Sequence, residues 1–212
     1  MKRVVLLRSN PVQPDPPVEK MADALLEMGM QVDILAWDRS RKHSSCSAEQ
    51  FPSGTAQVTR FGIPAAYGAR WATLCSLLRF EWSLWAWLVR NRKCYDAIHA
   101  FDLDTGVIAG MICRLFHKKL VYHMLDAYAD SHFFSDSLVR RIVYSVEMAL
   151  INSADATLIC TEERKAQIRD SAPRRLEIIH NTPHSVENKT HCFELKESNA
   201  EVKIAYVGTQ CS

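Results

Sequence analysis

Short apolar runs and longer amphipathic stretches alternate along the chain. Val4 to Leu7 is a run of valine and leucine that reads as a buried strand. A polar loop, Arg8 to Pro14, leads to Asp15, placed as an N-cap with Pro16 or Pro17 at the first helical position. Val18, Met21, Ala22, Leu25 and Met28 follow at helical spacing, and Gly29 closes the helix. Gln31–Trp37 is the next strand. Residues 38–56 are polar and irregular and read as a mobile connection, followed by a strand from Gln57 to Phe61 and a long helix from Trp71 to Arg92. The alternation resumes with strands at Ala97–Phe101, Lys119–Leu125, Ala156–Cys160 and Leu176–Ile179. Between them lie helices marked by Leu103, Val107, Ile108, Met111, Ile112 and Leu115, then Ser137–Ile151, then a short one from Glu162. This pattern predicts an α/β fold: a doubly wound, mostly parallel sheet of about seven strands with helices on both faces. The rhythm breaks at residues 182–201, a polar linker. Val202–Val207 then reads as a strand ending at Gly208, which predicts a domain over 1–181 and the opening of a second over 202–212.

Composition narrows the class. The 212 residues carry 48% hydrophobic and 24% charged side chains and a net charge of +2. This excludes a disordered tail, a collagen-like repeat or a coiled-coil rod, and implies no global affinity for nucleic acid. Seven cysteines lie far apart with no CxxC pair, which argues against a disulfide framework or zinc site and favours a reducing, cytoplasmic compartment. The apolar run at Val4–Leu7 is too short for a signal peptide, and no uncharged apolar stretch reaches spanning length. No GxGxxG, Walker loop, GxSxG or HExxH occurs, so no bound cofactor or metal is expected. His117, His123 and His132 lack ligand spacing and read as surface or satisfied core histidines.

In an open parallel sheet, ligands bind beyond the carboxyl ends of the strands. The residues there are Ser9 and Asn10; Asp38 and Arg39; Asp102 and Asp104; Asp126 and Tyr128; Thr161, Glu162 and Glu163; His180 and Asn181. Acids and amides recur at this rim, a lining suited to hydroxyl-rich ligands such as sugars. The same residue types cap helices, and Asp15, Asp102 and Asp104 are candidates for both roles. The stretch from Trp71 to Val89 holds four of five tryptophans. With Arg70, Arg79, Arg90, Arg92 and Lys93 against Glu81, residues 70–93 carry a charge of +4. Two readings follow: a helix buried between the sheet and its neighbours, or a peripheral contact in which Trp71, Trp82 and Trp85 enter the headgroup zone while Arg79 meets anionic lipid.

The chain resembles the N-terminal domain of family 4 glycosyltransferases, with their two-domain GT-B fold. The resemblance runs through Ser9-Asn10-Pro11 with Pro14-Asp15-Pro16-Pro17-Val18-Glu19-Lys20, then Val32–Arg39, Tyr95–Asp102, Val121–Tyr128, Ala154-Asp155-Ala156, Ile179–Pro183 and Tyr206-Val207-Gly208. It implies a Rossmann-like acceptor-binding half facing a cleft, with the donor half beginning near residue 202. The partners implied are a nucleotide-sugar donor and a glycan or lipid-linked acceptor in cell-surface polysaccharide synthesis, with the protein on the inner membrane face. Acceptor contacts then fall to Ser9, Asn10, Asp15, Asp102, Asp104, Tyr128 and Glu162, and donor contacts to Asn181, Gly208 and Thr209. Pro17 replaces the arginine usual in the opening motif, and Leu125 stands where many relatives have histidine. Asp126 is therefore the candidate to orient the acceptor hydroxyl or accept its proton. Such a half is expected to have little activity alone. The rival readings are a non-catalytic α/β binding or regulatory module and another GT-B enzyme such as a sugar-nucleotide epimerase.

Overall fold

The computed structural model describes residues 2–12, 14–65, 70–127 and 137–181, with residues 70–73 and 137 as backbone only. They fall within one compact unit, Met1–Thr182. The expected linker and the strand expected from Val202 lie outside the described residues. In chain order the elements are β1 (Arg3–Arg8), α1 (Pro16–Glu27), β2 (Gln31–Trp37), β3 (Cys46–Phe51), β4 (Gly54–Phe61), α2 (Arg70–Arg90), β5 (Ala97–Phe101), α3 (Asp102–Phe116), β6 (Lys119–Met124), α4 (Ser137–Ser153), β7 (Ala156–Ile159) and β8 (Leu176–Ile178). The stretch from Glu162, expected as a short helix, is a 3-10 turn over Glu162–Ala166.

The sheet has eight strands among the described residues, in the order β3-β4-β2-β1-β5-β6-β7-β8. Seven are parallel, and β3 runs antiparallel to β4 at the edge. The eighth strand corrects the expectation for residues 38–56. Cys46–Phe51 pairs with Gly54–Phe61, Phe51 opposite Gly54. Arg60 supplies the reason. Its buried guanidinium donates to the Ser47 hydroxyl at 2.7 Å, Glu49 at 2.9 Å and the Pro11 carbonyl at 2.8 Å. Thus β3 is held by a polar clamp that hydropathy does not register.

The strand period of two sends Val5 and Leu7 of β1 to one face and Val4 and Leu6 to the other. The first face packs under α2, α3 and α4, the second under α1. Helix α1 begins as expected: the Asp15 carboxylate accepts from the Val18 N–H, Pro16 follows, and Glu19 accepts from the Asp15 N–H at 2.9 Å. Helix α3 approaches β6 and α4 closely at Gly106, where an added Cβ would lie 2.5 Å from Leu150 Cδ2 and 2.9 Å from Tyr122 Cε2. Helix α2 is buried on one side only. Phe80, Leu84 and Leu88 are fully buried, and Phe80 stacks on Trp37 with centroids 4.9 Å apart. The opposite side exposes Leu74, Leu78 and Trp82, the last 71% accessible. No described helix is long and apolar enough to cross a membrane.

Candidate functional site

The carboxyl ends of β1, β6, β7 and β8 converge on a cleft of about 500 Å³. It is lined by Arg8, Asn10, Pro14, Asp15, Pro16, Pro17, Leu125, Asp126, Cys160, Thr161, Arg164 and Asn181. Parallel strands end together on one edge, so residues more than 100 positions apart meet there.

Arg8, the last residue of β1, organises the cleft. Its Nε donates to Asp15 Oδ2 at 2.7 Å and its Nη1 to Asp102 Oδ2 at 2.5 Å. Asn10 donates its amide N–H to the same Asp15 oxygen and accepts from the Val12 N–H at 2.8 Å. Asp102 Oδ1 accepts the backbone N–H of Leu125 at 2.9 Å and of Asp126 at 3.1 Å. One hydrogen-bonded chain therefore joins the ends of β1, β5 and β6 to the start of α1. Asp102 is only 5% exposed and has φ +64, in the left-handed region where a non-glycine residue is strained. Burial raises its pKa, opposed by Arg8 and the two N–H donors. Burial alone would lower that of Arg8, but the two carboxylates raise it. The ion pairs thus stay charged because each member has its counterpart within hydrogen-bond reach.

Behind Arg8 lies a buried aromatic stack. The guanidinium sits over the Phe101 ring, 5.9 Å to its centroid, and Phe101 packs between His99 at 4.6 Å and His123 at 5.0 Å. The imidazoles meet, His99 Nε2 to His123 Nδ1 at 3.3 Å. His123 Nε2 is buried without a hydrogen-bond partner among the described residues, which corrects the expectation of a surface or satisfied histidine. Burial and then the cation of Arg8 push the His123 pKa down to about 4, while burial and then His123 push His99 well below its ordinary value. Both rings are neutral at pH 7 and keep the interior behind Arg8 low in polarity.

The sequence candidates separate by position. Asn10, Asp15, Asp126 and Asn181 line the cleft. Asp126 presents a side chain 85% accessible, with Arg164 Nη2 at 3.4 Å. Asp102 lies just behind the wall. Asp104 is half-buried and accepts the Thr105 N–H at 2.9 Å, and Glu162 is exposed and paired with Lys165 at 2.6 Å. Neither they nor Ser9 line the cleft. Asp38 is buried and accepts from Ser40 and His43, bonds that offset burial and lower its pKa. Tyr128, Gly208, Thr209 and the Trp71 side chain lie outside the described residues. Thr161, one of the rim residues, lines the cleft, and so do Arg8 and Arg164, which had not been candidates for contact. The signal for Arg8 was a cation ending an otherwise apolar strand. A larger cavity of about 740 Å³ lies between α4 and the 3-10 turn, lined by Arg140, Arg141, Tyr144 and Asp170 among others, and reaches Met124 and Ala127 on either side of Leu125 and Asp126.

Solved structures share the architecture. Sucrose-phosphate synthase (tll1590) from Thermosynechococcus elongatus superposes with a TM-score of 0.66 at 15% identity, covering 85% of this chain and 48% of that one. Arabidopsis thaliana UGT89C1 complexed with UDP gives 0.54 at 15% identity, covering 84% and 49%, and its complex with UDP-L-rhamnose gives 0.54 at 15%, covering 87% and 53%. The chain spans about half the length of these structures, and at such identities the likeness establishes the Rossmann-like fold of a GT-B enzyme. No curated protein matches the chain. The model of the glycosyl transferase 4-like domain matches residues 16–182, from the capped start of α1 to the end of the described sheet, and the chain belongs to that family.

Proposed function

We propose that this chain is the acceptor-binding half of a glycosyltransferase that moves a sugar from a nucleotide-sugar donor to a glycan or lipid-linked acceptor. The observation that carries the reading is the single cleft at the strand ends in which Asn10, Asp15, Asp126 and Asn181 come together within the family-matched span. UGT89C1, of the same fold, is complexed with UDP and with UDP-L-rhamnose, which supports a nucleotide-sugar partner. In the reaction the acceptor oxygen bonds to the anomeric carbon, the bond from that carbon to the diphosphate breaks, and the hydroxyl proton is released. Asp126 accepts the hydrogen bond from the reacting hydroxyl, because its carboxylate faces solvent in the cleft and its backbone is pinned by Asp102. Asn10 and Asp15 are spoken for by the Arg8 network on one side and offer remaining oxygen lone pairs to acceptor hydroxyls on the other. Asn181, with Gly208 and Thr209, belongs to the donor side. The protein works at the inner membrane face in cell-surface polysaccharide synthesis, with α2 touching anionic lipid through Arg79 and the exposed Trp82, flanked by Trp71 and the half-buried Trp85.

The test is release of nucleoside diphosphate with appearance of glycosylated acceptor, using the full gene product. Asp126→Asn is expected to lower kcat by about 10²-fold or more while sugar-nucleotide binding persists. Donor binding with epimerised sugar and no transfer would assign the fold to an epimerase, and no sugar-nucleotide binding at all would leave a regulatory module.

A further inference from the structure

We infer that the outer face of the whole α2–α3–α4 layer is a docking surface for an anionic lipid bilayer, with the first three turns of α4 as its principal contact. This extends the α2 contact above and rests on the same peripheral reading.

Among the described residues, ten large hydrophobic side chains are exposed, and nine belong to these three helices; the tenth is Met28. On α2 and α4 they lie toward the helix starts, whereas on α3 they are Met111 and Leu115, toward its end. Leu138 and Ile142 of α4 are 63% and 55% accessible, and Leu78 and Trp82 lie in the first half of α2. The exposed charges of these helices have one sign. Among the described side chains of the three helices, every exposed charged residue is an arginine: Arg79, Arg90, Arg114, Arg140 and Arg141. Their carboxylates are withdrawn, Asp102 and Glu147 into the core and Glu81 and Asp104 half-buried. Burial accordingly raises the pKa of Glu81. Buried Glu147 accepts from the Tyr122 hydroxyl at 2.8 Å.

This charge pattern selects the occupant. A second copy meeting this face about a two-fold axis would set arginine against arginine with no exposed carboxylate on these helices to answer them. A bilayer offers anionic headgroups to the guanidiniums and apolar depth to the leucines, isoleucine and tryptophan. The topology adds a consequence. Each of the three helices starts at the carboxyl edge of the sheet, the edge that bears the cleft. Docking by the first turns of α4 and the first half of α2 brings the cleft alongside the headgroups, where a lipid-linked acceptor presents its sugar.

The test is co-sedimentation of the 212-residue chain with phosphatidylcholine vesicles containing roughly one quarter phosphatidylglycerol, against pure phosphatidylcholine. Each arginine near the surface contributes about a five-fold factor in partitioning, so Arg140→Gln with Arg141→Gln is expected to lower binding roughly 30-fold. Leu138→Ser with Ile142→Ser is expected to reduce it as well, with unchanged thermal melting as the control for folding. A second measurement needs no substitution: hydrogen exchange on the unaltered chain is expected to slow across residues 138–149 when anionic vesicles are added. If Trp82→Ser abolishes binding and the α4 variants bind like the parent, this inference falls and the α2 contact stands. If the α4 variants lose binding and Trp82→Ser does not, α4 stands as the principal contact, and the α2 contact falls together with docking by the whole layer. Absence of binding to anionic vesicles overturns both. Self-association removed by the α4 variants, without vesicle preference, overturns the lipid surface in favour of a second copy. None of these readouts depends on sugar transfer, so failure here leaves the transferase reading to its own test.

Discussion

Asp102 shows how one residue serves the site without touching ligand. Its carboxylate balances Arg8 and holds the two backbone N–H groups that aim Asp126, at the cost of a left-handed backbone. Asp102→Ala removes all three bonds and keeps the strain, so urea denaturation is expected to show a loss of about 2–4 kcal/mol. Asp102→Asn retains an acceptor and tolerates the conformation, and its loss is expected to be about half as large. The histidine pair sets a pH window. His123 titrates near 6.5 when unfolded and near 4 when folded, so its stabilising contribution is complete above pH 6.5 and drains away as pH falls toward 4. The loss is roughly 3 kcal/mol for this residue, and His99, shifted the same way, adds to it. The raised pKa of Asp102 acts in the opposite direction, whereas the lowered pKa of Asp38 adds a further loss only below the ordinary carboxylate range. Melting temperature against pH is expected to drop between pH 6.5 and 4, and His99→Leu with His123→Leu to flatten that slope. Sequence placed Asp102 and Asp126 at the strand ends because a residue following an apolar run is at the sheet's edge, and Asp15 at the start of a helix as its cap. It did not reveal that Asp102 turns inward to Arg8, since a side chain's direction depends on a cation that arrives from 94 residues away.

At the scale of elements, regular periodicity and close approach do different work. The helices and the seven parallel strands follow the apolar periods closely, because each buries one stripe or two faces. The edge strand β3 escaped, its residues Cys46–Phe51 being largely polar and its stability resting on Arg60 and on ladder bonds to β4. Arg60→Met is expected to unpin β3, with faster hydrogen exchange across residues 46–51 and little change in β5 or β6. The packing of α3 on α4 offers a second check. At Gly106 a methyl group gains helix propensity but collides with Leu150 and the Tyr122 ring. Gly106→Ala is therefore expected to lose about 1–2 kcal/mol in chemical denaturation, with Leu150→Ala in the same chain recovering part of the clash.

On the scale of the molecule, both hydrophobic clusters of the described residues lie within Met1–Thr182. We expect residues 1–182 by themselves to melt cooperatively, as followed by circular dichroism, and to retain the acid-induced drop of the whole chain. What sequence alone determined was the doubly wound parallel sheet, the capped start of α1, the edge on which ligands gather and the family resemblance. Each of these is written in local periods, caps and short motifs that residues impose on their neighbours. What only the tertiary structure decided was which edge residues meet: Arg8 between Asp15 and Asp102, the imidazole pair beneath, and Asp126 opposite Arg164. It also decided that α2 is buried on one side and bare on the other, and that α4 shares that bare surface. These are long-range outcomes, set by strand order and by the burial of particular charges, and a linear pattern does not encode the direction in which a side chain finds its partner.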